Sequence, residues 1–328
     1  MSTHVVSWTK ILVCIVLTST FLVCTHSTPS QRCDRECLET YIDQYLNAVI
    51  THDPGHLPFT AHVKFTENGQ RLEPGDGLWN TASARGSYSL YFADETAGQI
   101  GFFGTIRESN VPAIIAIRLK IEQAKISEIE TLVARDSTGA IRLEALPGPH
   151  PSFLENIPES QQTSRDELIR IANMYFTGLE QNDGKGDYPF ADRCNRIENG
   201  MQTTNKPGDN PIQFDITALT CKQQFESGFF RFVTRIRDRR FIIVDQPRGV
   251  VFAFAFFDHA GNVPAVTLTN GMTIPISVKE PWTWEIAEIF KIKDGLFQQI
   301  EAVCTRSPYG MNSGWSNWGD GLSSRIQH

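Results

Sequence analysis

The chain has 328 residues, 41% of them apolar and 20% charged, with a formal net charge of −7. That composition supplies a packed core and excludes wholesale disorder. The acidic balance excludes a nucleic-acid surface, which needs clustered positive charge to displace counterions. The one basic run, 235–240 (RIRDRR), sits in an apolar, strand-like stretch where carboxylates would pair it.

At the N-terminus Lys10 precedes the apolar run 11–24. As a helix it would reach about 21 Å, short of a bilayer core of roughly 30 Å. Thr25, Ser27, Thr28 and Ser30 follow, so residues 1–27 are expected to be a signal peptide cleaved after Ser27, with the mature protein secreted. Cys14 and Cys24 would leave with it. Cys33, Cys37, Cys194, Cys221 and Cys304 remain, an odd number, so one thiol stays free or pairs between chains. Cys194–Cys221 is the preferred bridge, since both lie in the second half, and the other pairings stay open. No second ligand pair stands beside Cys33 and Cys37, which argues against zinc.

Residues 37–50 place Leu38, Tyr41, Ile42, Tyr45, Leu46 and Val49 at helical spacing. Residues 164–180 repeat the pattern with Leu168, Ile171, Ala172, Tyr175, Phe176 and Leu179, and Ser164 with Glu167 forms a capping box. A turn and a short second helix are expected after each. Strand-like runs follow at 89–93, 99–107, 113–122 and 125–135, and again at 229–241, 249–258, 282–295 and 296–305, joined by tight turns such as Lys293-Asp294-Gly295.

The two series are a repeat. Pro58-Phe59 and Glu67-Asn68-Gly69 return 131 residues later as Pro189-Phe190 and Glu198-Asn199-Gly200. Tyr45 and Leu46 meet Tyr175 and Phe176 at an offset of 130, and Ile129-Glu130 and Arg135 meet Ile300-Glu301 and Arg306 at 171. The extra residues of the second half fall in Gly-, Pro- and Asn-rich loops around 203–211 and 259–275. The expected fold class is α+β. It comprises two tandem cone-shaped α+β barrel domains, each a helix hairpin packed on a curved antiparallel sheet with a pocket at its mouth. The first spans 33–145, a linker 146–163, and the second 164–318. Each Glu-Asn-Gly is expected where the short second helix ends, with Gly in the left-handed region.

These segments, above all YIDQYLNAVITHDP (41–54), FTENGQRLEPGDGLW (65–79), PFADRCNRIENGMQTTN (189–205), RGVVFAFAFFDHAG (248–261) and IEAVCTRSPYGMNSGW (300–315), resemble a tandem SnoaL-like, nuclear-transport-factor-type cone. The resemblance covers roughly 33–318. Within that group it is to the fungal hetero-Diels–Alderases of tropolone–sesquiterpenoid pathways, which join an ortho-quinone methide to a humulene-type olefin. It therefore implies a pericyclase of secondary metabolism. The expected partners are apolar small molecules, with no nucleic acid, no membrane after signal cleavage, and a monomer or homodimer. Such a cycloaddition needs reactants held in a near-attack pose, and no cofactor or metal is expected.

Motifs for a GxSxG elbow, an HExxH zinc helix, a Walker loop or a dinucleotide fold are missing from the sequence. His52, His56 and His150 fall in Pro/Gly loops, and His62 aligns with Arg193. Asp258-His259 at a strand end reads either as a turn or as an acid/base pair at the pocket rim. The candidate catalytic set is Arg193, Glu198, Asp258 and His259. The candidate substrate-binding set is Trp79, Tyr91, Phe102, Arg118, Arg231, Phe254 and Trp284. A cationic donor would stabilise charge on a quinone-methide oxygen, with Arg118, Arg193, Arg231 and Arg235 as candidates, although buried Arg is more often an ion-pair partner. Two alternatives stand beside the pericyclase: an isomerase, cyclase or dehydratase using Asp258/His259 or Glu198, and a secreted carrier of apolar molecules.

Overall fold

The computed structural model describes residues 33–208 and 214–322; the expected signal peptide lies outside them. Helix α1 (Arg35–Thr51) starts on Asp34, whose carboxylate accepts from the Cys37 amide, and a Cys33–Cys37 disulfide closes its first turn. Strands β1 (Phe59–Glu67), β2 (Gln70–Leu72), β3 (Ala82–Asp94), β4 (Gln99–Glu108), β5 (Val111–Glu122) and β6 (Lys125–Ala134) follow, then helix α2 (Ser137–Glu144). The second half begins with α3 (Arg165–Gln181), capped by Ser164. It continues through β7 (Phe190–Glu198), β8 (Met201–Gln202), α4 (Cys221–Glu226), β9 (Arg235–Asp245), β10 (Val250–His259), β11 (Ala265–Thr267), β12 (Thr273–Pro275), β13 (Trp282–Lys293), β14 (Leu296–Ser307) and α5 (Trp318–Leu322).

The two large sheets have the same order, β2-β1-β6-β5-β4-β3 and β8-β7-β14-β13-β10-β9. Each is antiparallel except at one junction, β1 with β6 and β7 with β14, where neighbours run parallel. This is a two-domain α+β fold in tandem. Each half, however, has one long helix rather than a helix hairpin. The segments after Pro58 and Pro189, expected as short helices, are strands β1 and β7.

Glu-Asn-Gly is accordingly a hairpin turn. Glu67 pairs with Gln70 and Glu198 with Met201, leaving Asn-Gly as the two loop residues. Their φ angles are +47° and +71° in the first half and +44° and +71° in the second, as a type I′ turn requires. A Cβ at Gly200 would lie 2.3 Å from the Gly139 carbonyl oxygen, so glycine is also demanded sterically. The Asn side chain does a second job. Asn68 accepts from the Val133 amide at 2.7 Å and donates to the Val133 carbonyl at 3.1 Å. Asn199 makes the same pair with Cys304, at 2.9 and 3.0 Å. Each hairpin is thus pinned to the last strand of its sheet.

Strand residues point alternately to opposite faces. One face of each sheet packs on its long helix: α1 over Phe65, Ile100, Ile115, Ile117 and Ile129, and α3 over Phe241, Val251, Ala253, Phe290 and Ile300. The other two faces pack on each other. Phe92, Phe103, Ile114 and Leu132 meet Ile243, Phe252, Phe254, Ala287 and Ile289 between the sheets. The same interface holds a buried ion cluster in which Arg240 reaches Glu130 at 2.6 Å and Glu130 also pairs with Arg118. After β14 the chain crosses back to the first half. Trp315 lies between Lys64 and Arg118, 4.1 and 4.4 Å from its ring centre, and donates its indole N–H to Thr66.

Asn199→Ala removes two hydrogen bonds and puts a Cβ residue with no local partner at positive φ. It should lower unfolding free energy by about 2–3 kcal/mol in urea titrations. Asn68→Ala should do the same, because its bonds are the same.

Candidate functional site

The two helix-covered hollows have diverged. In the first half a short turn, Gly77–Asn80, drops Leu78 and Trp79 into the hollow. Trp79 is 1% exposed and meets Tyr45 edge-on at 5.3 Å. Glu67 holds the plug, accepting from the Leu78 amide at 2.7 Å, and His52 Nδ1 bonds the Trp79 carbonyl. No water-sized space is left among Tyr45, Trp79, Ile106, Ile115, Ile117 and Thr131.

The second hollow keeps a cavity of about 170 Å³. Its walls are Leu179, Phe230, Phe232, Val233, Phe257, Trp284, Ile286 and Cys304, and its polar groups are Tyr175, Arg196, Glu198 and His259. At the repeat offset of 131, Arg196 stands where the first half has Phe65. Glu288 faces Ala302 as Ile117 faces Thr131, so Glu288 stands where the first half has Ile117. An apolar position has thus become a guanidinium, and another a carboxyl.

Arg196 is 4% exposed and held on several sides. It pairs with Glu198 at 3.0 Å, donates to Gln224 at 2.6 Å and Thr203 at 3.1 Å, and reaches the Tyr175 hydroxyl at 3.5 Å. Glu288 lies behind the cavity next to that hydroxyl. It is fully buried, and neither carboxyl oxygen completes a hydrogen bond of good geometry. Burial pushes its pKa up to about 8, Tyr175 opposes the shift and the Glu198 charge adds to it, so at neutral pH it carries its proton. Burial also lowers His259 to about 4, leaving a neutral imidazole stacked on Trp282 at 4.0 Å, its Nδ1 without a partner.

The insertions of the second half form the cavity's lid. Asn182, at the end of α3, accepts from the Phe230 amide through its side chain and from Arg231 Nε through its carbonyl. These bonds seat the turn Phe229–Phe232 over the mouth. Phe229 and Phe232 then pack against Val266, Leu268 and Ile276 around the β11–β12 hairpin.

Of the candidate residues, Glu198, His259 and Trp284 come together at this cavity. Asp258 does not join His259. As the preceding residue on β10 it points to the opposite face, where Arg235, Arg237 and Thr283 hold it at 2.5, 2.9 and 2.6 Å. Arg193 is exposed on β7, outside the cavity. Trp79 plugs the first hollow. Tyr91 donates to Asp43 at 2.9 Å and meets Phe102 edge-on at 5.1 Å at the α1 face. Phe254 packs between the sheets, Arg118 pairs with Glu128 and Glu130, and Arg231 anchors the lid. Sequence reading missed Arg196, Tyr175 and Glu288. The signal available was the repeat itself, in which Phe65 and Ile117 align with ionisable residues. Cys194 and Cys221, expected as a bridge, are neighbouring thiols with sulfurs 2.9 Å apart, and the disulfide present is Cys33–Cys37. Among the described residues no group of His, Cys, Asp and Glu is placed to hold a metal ion, and no helix is long and apolar enough to cross a membrane.

A family described as a domain of unknown function (DUF8021) matches residues 161–304, from just before α3 into β14, which contain the residues lining the open cavity. No curated protein matches the sequence. Among solved structures the chain is similar to AclR of Streptomyces galilaeus, proposed to be a hydroxylase. The identity is 11% over 39% of this chain and 92% of that one, with a TM-score of 0.27. A de novo designed protein with a curved β-sheet is similar at 13% identity over 44% of this chain and 88% of its own, with a TM-score of 0.24.

Two outcomes test the contrast between the hollows. Trp79→Ala should cost about 3–5 kcal/mol in denaturant titration, and benzene should restore part of it, because removing the plug leaves an apolar void. Glu288 should make stability depend on pH. Its folded pKa of about 8 exceeds the ordinary 4.5, so its contribution is full below about pH 4.5 and is lost as pH rises towards 8. Glu285 and Glu301, pushed by burial to about 8 and about 7, act in the same sense. Glu288→Gln should flatten the stability–pH curve in that window by one proton's worth, about 1.4 kcal/mol per pH unit.

Proposed function

We propose that the second half is the working half of a cofactor-free enzyme that moves protons on a neutral, ring-sized carbonyl compound, by isomerisation, cyclisation or dehydration. The observation that carries this reading is the largely apolar, partly open cavity ending on Tyr175, Arg196 and Glu198, with the fully buried Glu288 behind Tyr175. Its volume of about 170 Å³ is near that of an engineered cavity of about 150 Å³ that holds benzene, so a one-ring guest fits. Arg196 and Glu198 cancel in charge and Glu288 is neutral, which suits a carbonyl better than a carboxylate.

In this reading Glu198 takes a proton from the carbon next to the carbonyl. Tyr175 donates a hydrogen bond to the oxygen as negative charge gathers there, and Arg196 and Glu288 support the phenol from behind. A carboxyl kept neutral by burial is a suitable donor in such an arrangement. Donors aimed at a developing oxyanion are worth about 10²–10³ in rate each. His259 and the aromatic rim orient the guest and exclude water.

The finer activity implied by the family resemblance, a hetero-Diels–Alderase joining a quinone methide to a humulene-type olefin, is a second reading. The aromatic walls and the Arg196 donor favour it. It needs room for two reactants, so the lid at 216–232 and 263–278 would have to swing away first. A secretory route is compatible with the Cys33–Cys37 disulfide.

One experiment separates the readings. The purified chain is incubated in deuterated water with one- and two-ring cyclic enones, and separately with a quinone-methide precursor plus humulene, and products are followed by NMR. Deuterium should enter an enone next to or conjugated with its carbonyl. Tyr175→Phe should slow this about 10²-fold, and Glu198→Gln should abolish it with binding retained. Activity should fall above about pH 8, where Glu288 ionises. Adduct formation without exchange would replace this reading with the pericyclase, and enone binding with neither would leave a carrier.

A further inference from the structure

Cys194 and Cys221 are unused by this chemistry, yet they adjoin it. Cys194 lies on β7 two residues before Arg196, and Cys221 opens α4, which carries Gln224. Both thiols are buried, at 0% and 1% exposure, and their sulfurs are 2.9 Å apart, closer than two unbonded sulfurs rest comfortably. Gln224 sits one turn along α4. It accepts from Arg196 at 2.6 Å and donates to the Thr203 and Ile216 carbonyls at 2.6 and 2.7 Å. The position of α4 therefore sets one of the anchors of the guanidinium, beside Glu198, Thr203 and Tyr175. Cys304, the remaining free thiol, lines the cavity but has no sulfur neighbour among the described residues.

We propose that Cys194 and Cys221 are a site of reversible covalent modification, an intramolecular disulfide that locks α4 to β7 and fixes the Gln224 anchor of Arg196. The disulfide rests on the geometry alone; its consequence for the cavity rests on the functional reading above. Burial restricts the oxidant to a small one, such as a peroxide. One thiolate attacks a peroxide oxygen, giving a sulfenic acid and a hydroxide that takes up a proton to become water. The neighbouring thiol attacks the sulfenic sulfur and expels the second water. The two cysteines lose two electrons and two protons, and one peroxide is reduced to two waters. A dithiol reductant reverses the bond by exchange.

The test uses the full folded chain with Cys33–Cys37 left bonded and the other cysteines as free thiols, either untreated or treated with one equivalent of hydrogen peroxide. Each sample is denatured in N-ethylmaleimide, digested without reductant and read by mass spectrometry. The expected product is a peptide linking Cys194 to Cys221, with Cys304 carrying maleimide. The oxidised chain should melt about 5 °C higher, since the bond closes a loop of moderate length. Amide hydrogen exchange in 221–226 should slow about tenfold. Cys221→Ser, which keeps a small polar group at that position, should show neither change with peroxide. Maleimide on both Cys194 and Cys221 after peroxide overturns the site. A cross-link that leaves exchange in α4 unchanged overturns the lock. Both outcomes are read without any substrate, so they are independent of whether the cavity catalyses proton transfer.

Discussion

Two sheets packed face to face leave each strand residue with one of two neighbourhoods. Side chains on one face meet the opposite sheet, and those on the other meet a helix and whatever hollow that helix encloses. This alternation decides the chemistry more firmly than proximity in sequence does. Asp258 and His259 are adjacent in the chain, yet one is locked by Arg235, Arg237 and Thr283 of its own sheet and the other lines the cavity. Phe254 and Phe257 belong to one aromatic strand, yet only Phe257 reaches the cavity. Glu288 faces the hollow because Ile286 and Phe290, two residues either side, do so as well.

The inter-sheet layer is itself unusual in mixing grease with charge. Glu130 is shared by Arg118 and Arg240, and Tyr88 of one sheet donates to Glu301 of the other at 2.7 Å. Buried pairs of this kind contribute little net stability compared with apolar packing, but breaking one partner leaves a stranded charge. They therefore fix how the sheets register on each other more than how strongly they adhere. Trp315, held by Lys64 and Arg118, extends that registry to the segment after β14.

Much of the fold was legible in the sequence because periodicity reports it. The helical spacing at 37–50 and 164–180, the strand runs and the 131-residue offset all reappear as α1, α3 and two sheets of identical order. The segments after Pro58 and Pro189 were misread as helices because Glu-Asn-Gly fits a helix end as well as a hairpin. Only the pairing of Glu67 with Gln70 decides between them. The site was less legible. Glu198, His259 and Trp284 could be chosen by residue type, but Arg193 could not be told from Arg196 without knowing which β7 residues face the helix. Trp79 looked like a cavity wall, and no local pattern announces that a turn will push it inward as a plug.

The join between the sheets has a further consequence. Had the two halves been separate copies of one polypeptide meeting through the same faces, any replacement of Phe65 or Ile117 would have entered both at once. A guanidinium and an acid would then have been forced into each interior, with no half left as an inert buttress. Joining the copies end to end breaks that symmetry. One half can stay solid and carry the load while its twin is free to become hollow and polar inside.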